Sequence, residues 1–495
     1  MKLLLIPAAL LIAVPLFSQT AQTPSPLDGI WLGTLHTPGP ALRVQFHLHQ
    51  DATGKWTCSG DSIDQGAMGI PCTVTSATNP IAIEVPAING KFSATLTGDS
   101  LSGSWSQGPG SLPLALTRQA TALASAVPLP LPPDPAIPAV SVDQLKPVLD
   151  KDLAAALDHG ALAPATHGGV TIGVYQHGVR RIFSYGTAHD DSLFEIGSIT
   201  KTFTATILAQ MVAQNKAVLT EPVRNLLPPG TVTKPSGPEI TLLDLSDQHS
   251  GLPRMPNNFA PANPANPYAD YDPKLLYAFI AKHGVALPPN APFLYSNLGV
   301  GLLGQALSNR AGVSYPTLLH DEVTGPLHMT DTVIAIPPAL ESRFIQGYDA
   351  EHHPAHAWDL DALAGAGAIR STAADMLTFL EAQLHPDHLP AADLATPDGK
   401  TLSAAIAATH VIHAEVGQGM HIALNWFHID SSDTFWHNGG TGGYSAFAAF
   451  NPTNDFAIVV LSNTSPGNGS ITDALGGHIA ARLMGKPAVS LAPAK

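Results

Sequence analysis

The sequence predicts an α+β protein in two parts, and three observations carry that expectation. Short strand-like runs bounded by Gly, Asp and Pro fill residues 27–118, a proline-rich stretch follows, and beyond it strands flank a long helical middle on both sides. At 495 residues, 45% hydrophobic and 12% charged, the chain has material for more than one substantial core.

Taken in order, Lys2, the apolar run Leu3 to Phe17 and the small and polar residues Ser18 to Ala21 read as an export signal over residues 1–21. The apolar run is too short for a membrane span. The mature protein is therefore expected to be exported, periplasmic or secreted. That compartment is oxidising and suits Cys58 and Cys72, the only cysteines, as a disulfide candidate closing one hairpin-sized loop.

Residues 25–120 are expected to form an all-β domain, a small antiparallel sandwich or barrel. Its strands include Ile30 to Leu35, Leu42 to Leu48, Ile81 to Val85, Phe92 to Leu96 and Leu112 to Leu116. Asp61, Asp64 and Gln65 form a polar stretch open to two readings, ligand contact or turn chemistry. The domain is expected to bind or to pack. Residues 121–140 carry Pro128, Pro130, Pro132, Pro133, Pro135 and Pro138 and should form an extended, semi-rigid linker.

The second domain, 141–487, opens with a helix capped by Ser141 and running to about Leu157. Gly169 to Tyr175 and Arg181 to Tyr185 read as paired strands. A helical middle with long Pro/Asn-rich loops runs to Leu384. Ile422 to Phe427, Thr434 to Trp436, Ser445 to Phe450 and Phe456 to Leu461 read as strands, and Ile471 to Met484 as a closing helix. This order implies one antiparallel sheet made of early and late strands, flanked by helices, with an all-α subdomain inserted between.

The formal charge of -15 without a Lys/Arg run argues against nucleic acid or an anionic membrane as partner. The 22 histidines include no His-Glu-x-x-His and no tight Cys/His cluster. Glu351 to His356 and His385 to His388 read as polar loops, so no metal is expected, and no cofactor.

Chemistry concentrates in Gly197-Ser198-Ile199-Thr200-Lys201, which opens an apolar helical pattern. Ser198 and Lys201 should lie one turn apart on one helix face, where the amine can relay the hydroxyl proton. The free amides of the first turn favour an oxyanion. Downstream stand Tyr295-Ser296-Asn297 and His437-Asn438-Gly439-Gly440-Thr441-Gly442-Gly443.

At these residues the chain resembles the serine β-lactamase and D-alanyl-D-alanine peptidase family, in its class C β-lactamase-like branch. The likeness runs from about Val142 to about Pro487 and includes His249 to Pro253, Pro326 to Thr332, Ala366 to Met376 and Val460 to Asn463. The resemblance implies that fold, with the site where sheet meets helices. It also implies catalytic Ser198 as acyl acceptor, Lys201 as proton relay and Tyr295 as acid/base partner. The substrate-binding residues would be Asn297, which would steady the lysine and a substrate amide, with His437 and Gly439 on the strand bordering the cleft. The backbone amides of Ser198 and Gly440 would form the oxyanion hole. A phenol titrates near ~10, so Tyr295 is expected to need neighbouring cations to lower its pKa or a shared proton network.

Three positions depart from the family pattern. His437 stands where most β-lactamases carry lysine, Gln248 where relatives commonly show histidine, and Asn290 where glycine is usual. A histidine is mostly neutral at pH 7, so a permanent cation for a substrate carboxylate is missing there. The expected activity is therefore D-alanyl-D-alanine carboxypeptidase or endopeptidase hydrolysis of peptidoglycan peptides. A β-lactamase, an esterase of the same fold and a non-catalytic penicillin-binding sensor are the alternatives. The expected partner is a small-molecule or peptide substrate: a D-alanyl peptide, a β-lactam or an ester. A cell-wall polymer held by the N-terminal domain is a further partner under the binding reading.

Overall fold

The structure is a computed structural model that describes residues 25–36, 42–51, 54–62, 67–107, 110–119, 133–389, 397–417, 419–466 and 470–491. The expected signal peptide, Asp64, Gln65 and most of the linker lie outside the described residues.

Nine strands form the N-terminal sheet: β1 (Gly29–Leu35), β2 (Leu42–Gln50), β3 (Trp56–Ser62), β4 (Ala67–Pro71), β5 (Thr73–Ser76), β6 (Ile81–Val85), β7 (Gly90–Thr97), β8 (Ser100–Gln107) and β9 (Gly110–Gln119). Their order is β4-β3-β2-β1-β9-β8-β7-β6-β5, all antiparallel. Alternation drives it: Ile81, Ile83 and Val85 point inward with Phe92 and Ala94, and Trp31, Phe46, Leu101 and Leu116 complete the core. The sheet curls until β3 and β5 meet. A Cys58–Cys72 disulfide ties the two ends together, with Cα atoms 5.0 Å apart. Of the two expected shapes, this is the barrel. Asp61 is buried and accepts from Gln45 Nε2 at 3.0 Å, with His47 Nε2 2.6 Å away, so this part of the polar stretch is tied into the wall.

Residues 133–140, the described end of the expected extended linker, are fastened to the second domain. Asp134 and Ala488 exchange backbone hydrogen bonds at 2.8 and 3.1 Å, and Val140 N donates to Arg482 O at 3.2 Å. Proline has no N–H, so only the residues between prolines can make such bonds, and here they do.

The second sheet runs β11-β10-β19-β18-β17-β16-β15-β14. Early strands β10 (Gly169–Gln176) and β11 (Val179–Gly186) join β14 (Ala414–Gly417), β15 (Met420–Ile422), β16 (Phe427–Ile429), β17 (Thr434–Gly440), β18 (Ser445–Asn451) and β19 (Phe456–Ser462). Ile422 to Phe427, expected as one strand, runs from the end of β15 through a turn at 423–426 to the start of β16. Asn425 there has φ of 56° and accepts from Gln248 Nε2 at 2.9 Å, which closes a turn that apolar content alone disguised.

Both faces of this sheet are covered, which explains the unbroken apolar run of β19. Val170, Ile172, Val174, Phe456, Ile458 and Val460 face α1 (Leu145–Asp152) and α11 (Ile471–Met484), the latter with Leu475 and Ile479. The opening helix is broken at Leu153, after which α2 (Ala154–His159) begins. Ala457, Val459 and Leu461 face the other way, toward α3 (Thr200–Ala213) and the later α9 (Ala373–Leu384). Short strands β12 (Phe194–Glu195) and β13 (Arg370–Ser371) pair with each other. Between them come α4 (Leu242–Ser246), α5 (Pro273–His283), α6 (Asn297–Ala311), α7 (Tyr315–Leu319), α8 (Ala364–Gly367) and long loops. α10 (Pro397–Ala408) packs on α3, so α3 is buried from Thr200 to Met211.

The end of β17 is seated on the turn before α3. A Cβ on Gly439 would collide with the Ile196 carbonyl oxygen and lie 3.0 Å from Ser198 N. One on Gly197, whose φ is +50°, would lie 2.6 Å from Gly440 N. We expect Gly439→Ala to cost about 1–3 kcal/mol and lower the melting temperature by several degrees. Gly237→Ala, with open space around it, should melt like the wild type. Equal melting of both would contradict this seating.

Candidate active site

Ser198 lies in the short 3-10 turn Gly197–Ile199 that leads into α3, and Lys201 in the first turn of that helix. Lys201 Nζ is 2.8 Å from Ser198 Oγ and 2.6 Å from the Ala366 carbonyl oxygen. The lysine is fully buried, and no carboxylate is paired with it among the described residues. Burial, and then the charge of Arg254, hold its pKa well below the usual lysine value. A neutral amine fits these contacts: one N–H donates to Ala366 O and the lone pair faces the serine hydroxyl.

Tyr295 ends the loop before α6. Its hydroxyl faces the Ser198 side, and Lys201 Nζ and Arg254 Cζ lie 5.0 and 5.2 Å from its ring centre. Burial pushes the phenol up to about 12; the Ser198 hydroxyl and the Arg254 charge only moderate this. Of the two routes expected for Tyr295, lowering by neighbouring cations is outweighed by desolvation, which leaves a proton shared in a network.

Asn297 also differs from expectation. It starts α6, behind the Ser296 cap whose Oγ accepts from Gly299 N at 2.8 Å. Its Nδ2 donates to Met255 Sδ at 3.8 Å rather than steadying Lys201, and its buried Oδ1 meets no partner among the described residues. The Ala366 carbonyl holds the lysine instead.

His437 is buried on β17, its ring 6.1 Å from that of Tyr295. Its Nδ1–H donates to Asn438 O at 2.6 Å, which leaves Nε2 as a bare acceptor. Burial, then the Lys201 charge, push its pKa down to about 3, so the imidazole is neutral.

A small, partly open cleft lies over Ser198. Asn297, Gly440 and Thr441 line it, and Tyr268, Trp358, Leu360 and Leu363 make apolar walls. The wall is tethered. Glu195 Oε1, three residues before Ser198, accepts from Trp358 N at 2.8 Å and pairs with Arg370 at 3.2 Å. Asn266 and Asp359 exchange two hydrogen bonds of 2.9 Å, holding the Tyr268 loop against the Trp358 loop.

The β-lactamase family profile matches residues 156–480, two-thirds of the sequence. The chain belongs to the β-lactamase family. It is a serine hydrolase of the β-lactamase or D-alanyl-D-alanine-peptidase type. The β-lactamase of Pseudomonas fluorescens is similar, 27% identical over 336 residues, which are 60% of this chain and 88% of that one. The D-alanyl-D-alanine-carboxypeptidase/endopeptidase AmpH of Escherichia coli K12 is 28% identical over 304 residues, 58% of this chain and 78% of its own. A β-lactamase of Escherichia coli K12 is 26% identical over 352 residues, 62% and 86%.

In this β-lactamase-family chain the structure thus brings Ser198, Lys201, Tyr295, Asn297, His437, Gly439 and Gly440 together. Sequence reasoning missed Arg254, Trp358 and the Ala366 carbonyl, whereas Met255 and Tyr268 fall in the loop Met255 to Asp272 that the sequence singles out for substrate selection. Arg254 directly follows the quoted Ser250 to Pro253 stretch, and Ala366 begins another, so adjacency to a motif was the available signal. A histidine group outside those named from the sequence lies away from the pocket lining: His421 and His428 Nδ1 atoms stand 3.1 and 3.2 Å from Asp430 Oδ1. The Glu351 to His356 loop is exposed apart from Ala355. His385 is bound to Asp455 at 2.7 Å.

Proposed function

We propose that the protein hydrolyses D-alanyl peptides of the cell wall, as a carboxypeptidase or endopeptidase, through an acyl-enzyme on Ser198. The observation that carries this is the 2.8 Å approach of a buried, carboxylate-free Lys201 amine to the Ser198 hydroxyl. An amine made neutral by burial is the base that a serine hydroxyl needs.

In the reaction Lys201 takes the Ser198 proton as Oγ attacks the scissile carbonyl carbon. The oxyanion sits between the Ser198 and Gly440 amides, a stabilisation of a few kcal/mol. Tyr295, protonated because its phenol is held at about 12, gives its proton to the departing nitrogen and is reprotonated by Lys201, which holds the proton taken from Ser198. Water then attacks the ester by the reverse route. Asn297 lines the pocket, and a turn of its side chain brings its buried, unpartnered Oδ1 to the substrate amide.

The relative named AmpH and the neutral His437 favour the peptidase reading; the relatives named β-lactamase favour β-lactam hydrolysis as the second reading. Export to the periplasm or medium accords with the signal-like residues 1–21 and the Cys58–Cys72 disulfide.

With an acyl-D-alanyl-D-alanine peptide, release of free D-alanine should fall at least about a thousandfold in a folded Ser198→Ala protein. Retained release would remove the assignment. The pH profile follows from the shifts. Lys201 is active when neutral, so kcat/KM rises as pH climbs through its depressed pKa. It then stays level, since Tyr295 keeps its proton until about 12. His437, with a pKa of about 3, does not titrate in this range. A rising limb that vanishes in His437→Gln would instead assign the base to the imidazole.

A further inference from the structure

We propose that Arg254 is the anion anchor of this site, taking the free carboxylate of the substrate. The proposal rests on the acyl-transfer reading above and names the substrate feature that the site selects.

The first ground is pairing. The domain's other arginines each meet a carboxylate: Arg180 with Glu381, Arg181 with Asp143, Arg224 with Glu239, Arg310 with Glu221, Arg343 with Asp331, Arg370 with Glu195 and Arg482 with Asp152. Arg254, half-buried, is the exception: among the described residues its guanidinium has no ion pair and no hydrogen-bond acceptor, only the face of Tyr295 at 5.2 Å. Five N–H donors in a planar fork are thereby left available, and that fork matches a carboxylate.

The second ground is placement. The backbone around Arg254 is fastened to the catalytic loop: Ser296 Oγ donates to Pro253 O at 2.7 Å, and Leu298 N donates to Arg254 O at 3.2 Å. Met255 receives the Asn297 amide. The backbone of Arg254 is therefore bonded to the segment that carries Tyr295 and Asn297, and its guanidinium lies against the Tyr295 ring beside the nucleophile.

The third ground is charge balance. The charges that act on Lys201, Tyr295 and His437 are Arg254 and Lys201 themselves, with no carboxylate among them. A bound carboxylate supplies the missing anion. It also relieves the pressure of Arg254 on Lys201, so the anionic substrate makes its own base a stronger proton acceptor.

The test compares two peptides that differ in one group: acyl-D-alanyl-D-alanine and its C-terminal carboxamide. Wild type should prefer the carboxylate by roughly ten- to a hundredfold in kcat/KM. Arg254→Met should bring that ratio close to one, and Arg254→Lys should restore part of it, with melting curves confirming that both are folded. A wild type without preference would overturn the proposal, and needs no variant. So would an Arg254→Met protein that loses both substrates equally, since Arg254 would then only support Tyr295. Failure of the underlying reading looks different: neither peptide would yield D-alanine or depend on Ser198.

Discussion

A lysine with no solvent and, among the described residues, no counter-ion is the constraint on which the rest of the site depends. Taking an ammonium out of water is costly, so a fully buried Lys201 without a carboxylate is driven toward the free amine. The fold arranges that burial with small residues. α6 and α8 approach so closely that a Cβ on Gly304 would lie 3.1 Å from Gly365 Cα, and one on Gly301 would press on Leu363. Thr204 on α3 donates to Gly365 O at 2.7 Å, which fixes the short α8 and with it the Ala366 carbonyl that grips the amine. The tethered Trp358 and Tyr268 walls and the seated end of β17 then border the cleft around one hydroxyl.

The departures from the family pattern become coherent in this setting. His437 occupies a position where a cation would lie close to Lys201 in a dry pocket, and its ring is instead neutral, locked by its bond to Asn438 O. The positive charge stands on Arg254, beyond the Tyr295 ring. Gln248, another departure, binds both Asn425 and the Ser296 amide, so it links the β15–β16 turn to the Tyr295 loop. Asn290 adopts φ of 50°, a conformation that glycine otherwise supplies and asparagine tolerates.

Much of this was legible because the chemistry is local in sequence. Ser198 and Lys201 share one helical turn, Tyr295 and Asn297 one loop, and His437, Gly439 and Gly440 one strand, so short patterns reveal them. The order of strands, helices and strands likewise foretold a sheet shared by β10, β11 and β14–β19. What stayed hidden depends on distant segments meeting. A backbone carbonyl such as Ala366 has no signature in its side chain, and an unpaired arginine looks like any other until its neighbours are known. Two details were hidden for the same reason: the Tyr295 pKa and the Asn297 partner are set by desolvation and packing, which spacing does not encode. Ile422 to Phe427 failed differently, since its apolar content is the same for a buried turn as for a strand.

The most direct test is intact-mass spectrometry of the purified protein after incubation with a penicillin, alongside Ser198→Ala. The account predicts an adduct of one penicillin mass on the wild type, mapping to the peptide that holds Ser198 and absent from the variant. An equal adduct on both proteins, or one on another residue, would contradict a Ser198 acyl-enzyme.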